Sequence, residues 1–288
     1  MLTRRELMKT AIMGTAALGL SPTLLADETK EFSRPEGFKG TVKQSVSKWC
    51  FGSIPLKEFC EVCKSMGMVG VDLISPDDWE LVGLCGMTVT MGSLPGVSIT
   101  DGLNRLENHD KLVDIFEKYI PMAAELNVPN VICMSGNRAG LDDETGLKNC
   151  VTGLKRIAPI AEKHGVNVMM ELLNSKDHED YQNDHTAWGA EVCYGVGSER
   201  IKLLYDIYHM QRMDGDLIWN IRKYQDVIGH YHTGGCPGRN DIDETQEIFY
   251  PTVVKAIMET GYKGFIAHEF IPKNGLESLY RAVQICDV

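Results

Sequence analysis

A chain of 288 residues with 43% hydrophobic side chains has the length and the core material for one α/β barrel. Its formal charge of −11 excludes a basic nucleic-acid groove as the organising function and leaves the substrate class open. Nine cysteines in an odd, irregularly spaced set exclude a small disulfide framework.

The first 26 residues differ in kind from the rest. Paired arginines, Arg4 and Arg5, precede an apolar run over 11–20, with Ala26 as a cleavage edge. That is the pattern of a twin-arginine export signal. The run is too short for stable membrane insertion and is interrupted by Gly14 and Gly19. The expected address is periplasmic, or cytoplasmic if the signal is unused. Such signals resemble those of proteins exported already folded, which reconciles nine thiols with an oxidising compartment. Cys60 and Cys63 form a CxxC inside a helical pattern without a second pair, and are read as packing residues.

Residues 27–40 are polar and read as a linker, leaving 41–288 as one catalytic domain. Short apolar runs follow at about 42–47, 69–74, 88–91, 130–134, 167–172, 201–207, 228–233 and 264–269. Most are rich in Val or Ile, as suits strands buried on both faces of a parallel sheet. Amphipathic stretches lie between them. Leu112, Ile115, Phe116, Tyr119 and Ile120 recur at helical spacing, and so do Leu154, Ile157 and Ala161 before a stop at Gly165. Alternation of this kind predicts a closed (β/α)₈ TIM barrel.

Four chemistry-bearing residues fall at the ends of the last four runs: Glu171, Asp206, His232 and Glu269, spaced by 35, 26 and 37 residues. Parallel barrel strands converge at their C-terminal ends, so these residues should meet at the mouth. Three carboxylates and one imidazole suit a hard divalent cation, Mg²⁺ or Mn²⁺. Glu171 and Glu269 are the expected acid/base pair, moving a proton between adjacent carbons beside a carbonyl. His209, one turn beyond Asp206, and Arg239, in a turn-rich loop, are expected to hold substrate oxygens. Asp177, six residues past Glu171, either binds a substrate hydroxyl or caps local structure. His230 is expected to pack inside the barrel. Asn137 and Arg138 are further loop candidates, and the stretch 92–102 reads as a lid.

The segment from Tyr205 to Leu217, Tyr-Asp-Ile-Tyr-His-Met-Gln-Arg-Met-Asp-Gly-Asp-Leu, closely resembles a stretch of the hydroxypyruvate isomerase family. Glu171-Leu-Leu-Asn174, Ile228-Gly-His230 and Glu269 are similar to motifs of the same family. It belongs to the xylose-isomerase-like TIM barrels, alongside the ketose 3-epimerases, and the likeness spans roughly 42–285. His232 matches the histidine ligand of the epimerases. The resemblance implies a Mg²⁺- or Mn²⁺-type site at Glu171, Asp206, His232 and Glu269, with the two glutamates as acid and base. The expected activity is isomerisation of hydroxypyruvate, a related keto acid or a free ketose through an enediolate. A ketose 3-epimerase, an exported 3-keto-sugar lyase or hydratase, and a non-catalytic sugar-binding barrel are the alternatives. A small-molecule carbohydrate or keto acid is the expected partner; no nucleic acid is expected, and a homo-oligomer is left open.

Overall fold

The computed structural model describes residues 31–288, so the expected signal over 1–26 lies outside the described residues. Eight short parallel strands supply the framework: β1 (Gln44–Val46), β2 (Gly70–Val71), β3 (Thr88–Val89), β4 (Asn130–Cys133), β5 (Asn167–Glu171), β6 (Ile201–Asp206), β7 (Ile228–Thr233) and β8 (Ile266–His268). Six of them pair in the order β1-β8-β7-β6-β5-β4, and β2 pairs with β3. Single bridges close the ring, Ser47 with Asp72 and Gly92 with Val131. The Asp72 amide donates to Val46 O at 2.8 Å, and the Gly92 amide to Asn130 O at 2.8 Å. The result is the expected barrel.

Helices cover the outside because each strand-to-strand crossover must return across the sheet. They are α1 (Leu56–Ser65), α2 (Trp79–Leu84), α3 (His109–Glu125), α4 (Asp143–His164), α5 (Thr186–Val196), α6 (Ile207–Met213), α7 (Leu217–Lys223), α8 (Tyr250–Glu259) and α9 (Leu276–Cys286). Two short helices, α6 and α7, fill the single crossover after β6. The expected stop after α4 is real: Gly165 takes φ +70, a left-handed cap that glycine adopts without Cβ strain. No described helix is long and apolar enough to cross a membrane. Ser33–Val288 clusters as one compact unit.

Cys60 and Cys63 are fully buried on the inner face of α1 beside Phe59, and all nine cysteines are free thiols. Gly92 and Ser93, at the start of the expected lid, belong to the barrel wall, since the Ser93 amide donates to Ile74 O at 2.9 Å. Farther on, Val97 and Ile99 pack against a buried cluster that includes Ile132, Met134 and Leu173.

A single irregularity in the sheet determines which residues meet. β6 and β7 pair Leu203 with Ile228 but Leu204 with His230, a bulge that leaves Gly229 unmatched. Regular pairing from Leu203 would place Asp206 opposite Tyr231; the bulge places it opposite His232 instead. A Cβ on Gly229 would stand 2.6 Å from the Met169 methyl and 2.9 Å from Lys202 Cβ, so a larger residue at the bulge would force its neighbours to shift.

Candidate active site

Glu171 ends β5, Asp206 ends β6, His232 lies near the end of β7 and Glu269 follows β8 directly. All four are buried, and one donor atom from each lies within 4.8 Å of the others. The four residues picked from strand ends therefore converge. His232 Nδ1 stands 2.6 Å from Glu269 Oε2 and 3.7 Å from Glu171 Oε1.

The imidazole is aimed from behind by a residue that sequence reasoning missed. Asp72, just past β2 and fully buried, takes His232 Nε2 on Oδ1 at 3.0 Å. Its other oxygen accepts from Thr90 Oγ1 at 2.5 Å and stands 3.0 Å from His230 Nε2. With Nε2 engaged, Nδ1 is the nitrogen that faces the mouth. His230 is buried inside the barrel as expected. Asp72 could have been found as a lone carboxylate inside the apolar run 69–74; its separation from the other four residues hid it.

Arg239 enters this cluster directly. Its Nη2 lies 3.1 Å from Asp206 Oδ2 and 2.6 Å from Glu269 Oε2, and its guanidinium sits over the rings of Trp49 and Tyr208. The backbone there is left-handed, φ +54, an uncommon state for a long side chain that recurs at functional sites. Trp49, which carried no signal in the sequence, donates Nε1–H to Glu269 Oε1 at 2.7 Å.

His209 is buried at the start of α6, where Asp206 caps the helix by accepting the His209 amide at 3.1 Å. Its Nδ1 accepts the Asn174 amide at 3.0 Å, so the ring proton belongs on Nε2. That Nε2 has no hydrogen-bond partner among the described residues and lies 3.7 Å from Asp206 Oδ2. A buried donor left open beside the carboxylates fits a group meant for substrate. Asp177 sits differently. It accepts from Tyr208 Oη at 2.5 Å and from Asn174 Nδ2 at 3.1 Å, and it pairs with Arg212. Its carboxylate is thus engaged in local structure, the second of the two roles expected for it. Arg138 is similarly occupied, by Asp184 and Asp143.

Glu171, Glu269 and Arg239 face a cavity of about 360 Å³ with Trp49, Ser93 and His178; Leu73, Val97, Ile99, Ile132, Met134 and Leu173 complete its wall. That size admits a small metabolite. Neither Asp177 nor His209 is among the lining residues.

Burial sets the charges apart. It pushes the Glu171 carboxyl up to about 8, helped by the charge of Glu269. Burial also opposes charge on Glu269, but Arg239 and then His232 outweigh it and hold that carboxyl well below the usual range. Asp206 is raised by burial against the pull of Arg239. His232 resists the same burial because Glu269 and Asp72 hold its charged form well above the ordinary value. The proton on Glu171 and the charge on His232 balance the site as it stands, so a cation would enter by displacing those protons. Three oxygen donors and one imidazole nitrogen within 4.8 Å of one another could hold a divalent cation.

A family model described as xylose isomerase-like TIM barrel matches residues 61–284. A putative hydroxypyruvate isomerase of Danio rerio is 32% identical over 129 residues, 44% of this chain and 47% of that protein. The chain therefore spans about half the length of this relative. The hydroxypyruvate isomerase of Escherichia coli (strain K12) is 26% identical over 239 residues, 79% of this chain and 92% of that protein. Among solved structures, an AP endonuclease, family 2, from Brucella melitensis superposes with a TM-score of 0.74 at 23% identity, covering 82% of this chain and 95% of that one. At that identity the superposition speaks to the fold alone.

Proposed function

Because the chain belongs to the xylose isomerase-like TIM barrel family, we propose that it is a divalent-metal-dependent isomerase of short keto acids or ketoses. Glu171, Asp206, His232 and Glu269 hold the cation, and Glu171 and Glu269 move one proton between neighbouring substrate carbons. The observation that carries this reading is the approach of the two glutamates, within 4.8 Å, in a four-donor group that opens on one small cavity. The names of the Danio rerio and Escherichia coli relatives support the choice of keto acid. An exported address extends the proposal. Residues 1–40 fused to a folded reporter should carry it across the membrane by the twin-arginine route, and retention inside the cell would remove that address.

When bound, the cation supplies Lewis acidity that polarises a substrate carbonyl and tempers the charge of an enediolate. The chain does the rest. One glutamate accepts the proton from the carbon beside the carbonyl, and the other returns a proton to the neighbouring carbon. Arg239, already at hydrogen-bond distance from both Asp206 and Glu269, offsets negative charge at the reacting end. His209 Nε2 stands 3.7 Å behind the Asp206 carboxylate, outside the cavity wall, and the aliphatic wall keeps water from the intermediate.

The test is solvent exchange. Mn²⁺-loaded protein in D₂O, given hydroxypyruvate or a free ketose such as D-fructose, should wash deuterium into the carbon beside the carbonyl and form an isomer of equal mass. Loss of a leaving group from a 3-keto sugar would instead make it a lyase. Absence of exchange with every keto substrate would end the isomerase reading.

Loading with metal should also be pH-dependent in a predictable direction. Glu171, with its carboxyl near 8, is protonated at neutral pH and must lose that proton to become a ligand. Mn²⁺ affinity should therefore climb about tenfold per pH unit from this group alone, and that contribution should level off above about 8. Protonated His232 adds to the release. Calorimetric titration at several pH values, in buffers of different ionisation heat, checks it; an affinity flat across neutral pH would show that Glu171 starts ionised.

A further inference from the structure

We propose that His178 is a substrate-contacting residue, its imidazole holding a substrate oxygen that lies outside the reach of the two glutamates and Arg239. The inference rests on the isomerase reading and identifies a residue which that reading does not use.

The polar groups that line the cavity are mostly committed elsewhere. Trp49 spends its indole N–H on Glu269. Arg239 Nη2 is shared between Asp206 and Glu269. The Glu269 oxygens face Trp49, His232 and Arg239. Apart from Glu171, reserved for the proton transfer, and Arg239 Nε, which has no partner among the described residues, what remains uncommitted is the hydroxyl of Ser93 and the ring of His178, both on the cavity wall. Neither forms a side-chain hydrogen bond with the described residues. The rest of the wall is aliphatic, so a substrate oxygen turned toward it finds few partners, and an enclosed oxygen left without one weakens binding.

The loop that carries His178 is built to hold it still. Asn174 Oδ1 accepts the amides of Lys176 at 3.1 Å and Asp177 at 2.9 Å. The His178 amide donates to Asn174 O at 3.0 Å. Asp177 is locked to Tyr208 and Arg212 on one side and to Asn174 on the other. The fixed carboxylate thus anchors the turn whose next side chain reaches the cavity. The imidazole leans on His209, ring centres 5.4 Å apart, which restricts its rotation further. Burial, and then Arg239, disfavour its charged form, leaving a neutral ring able both to donate and to accept. A contact of this kind, away from the reacting carbons, contributes equally to ground state and transition state.

His178→Ala should therefore raise KM for the preferred keto substrate by about tenfold or more with kcat little changed. His178→Asn, which keeps a donor, should recover part of the loss. Adding Ser93→His to His178→Ala, which returns an imidazole from another position on the cavity wall, should recover part as well. Mn²⁺ affinity and melting temperature should stay at wild-type values in all three. In the slow Glu269→Gln protein, adding hydroxypyruvate or D-fructose should shift the ¹⁵N resonances of the His178 ring. An unchanged KM in His178→Ala, a fall in Mn²⁺ affinity matching the fall in activity, or an unshifted ring with both probes would each overturn the assignment. Wild-type protein that catalyses no deuterium exchange overturns only the isomerase reading, because the ring shift reports contact independently of turnover.

Discussion

Glu269→Gln and Glu171→Gln should each cut deuterium exchange into substrate by roughly 10²–10⁴-fold, the usual share of a positioned acid or base. The two changes are nearly isosteric and leave an amide oxygen where a carboxylate oxygen stood, so the loss reports proton transfer once metal occupancy is matched. Their side effects should differ. Glu171 is already held protonated at neutral pH by its burial and by Glu269, and an amide resembles that neutral form; the metal-free Glu171→Gln protein should melt close to wild type. Glu269 is ionised against Arg239 and His232, and its replacement leaves a largely buried guanidinium with one carboxylate fewer. That variant should be measurably less stable before metal is added. Exchange persisting at the wild-type rate in either variant, at full Mn²⁺ occupancy, would remove the two-glutamate shuttle.

The part of this site that was legible in the sequence is the part written along single strands. Glu171, Asp206, His232 and Glu269 each end an apolar run, and the barrel needs nothing more to bring them together. Register with the other strand ends singled out His232 rather than His230, and His232 is the one that lies beside Glu171, Asp206 and Glu269, although that register holds only because Gly229 bulges. The bulge lies where Gly229 packs closely on Met169 and Lys202, a contact that no local pattern records. Asp72 and Trp49 reach the site from the first two crossovers, far from the segments that carry its motifs. The role of Asp177, left open between a substrate hydroxyl and a local cap, turned on side-chain partners from α6: Tyr208 and Arg212 claim the carboxylate. The extra helix after β6 was hidden as well, because α6 and α7 are each only seven residues long, too short for a clear helical period.

Asp72→Ala should destabilise the protein by about 3–5 kcal/mol, the usual cost of removing one partner from a buried ion pair. The carboxylate is fully buried and is the common partner of His230, His232 and Thr90. Burial alone would raise it, yet His230 and His232 hold it well below the usual carboxylate range. A folded-state pKa depressed below the unfolded one stabilises above the unfolded value and loses that contribution as pH falls. The gap between wild type and Asp72→Ala should therefore be fully open at neutral pH and close progressively below about pH 4. For a chain of this size the neutral-pH gap corresponds to roughly 10 °C in melting temperature.

Asp72→Asn separates charge from shape. It keeps an oxygen near His232 Nε2 but turns an N–H₂ group toward His230 and Thr90, so His232 is held less firmly with Nδ1 facing the mouth. Its Mn²⁺ affinity should drop about 10–100-fold, as when the outer partner of a metal-bound histidine is lost. Imidazole ¹⁵N shifts should report loss of the doubly protonated His232 ring in metal-free Asp72→Asn. If Asp72→Asn instead binds Mn²⁺ as wild type does and keeps that ring doubly protonated, the bulge and the strand suffice to aim His232. Asp72 would then serve only as a partner for the two histidines inside the barrel.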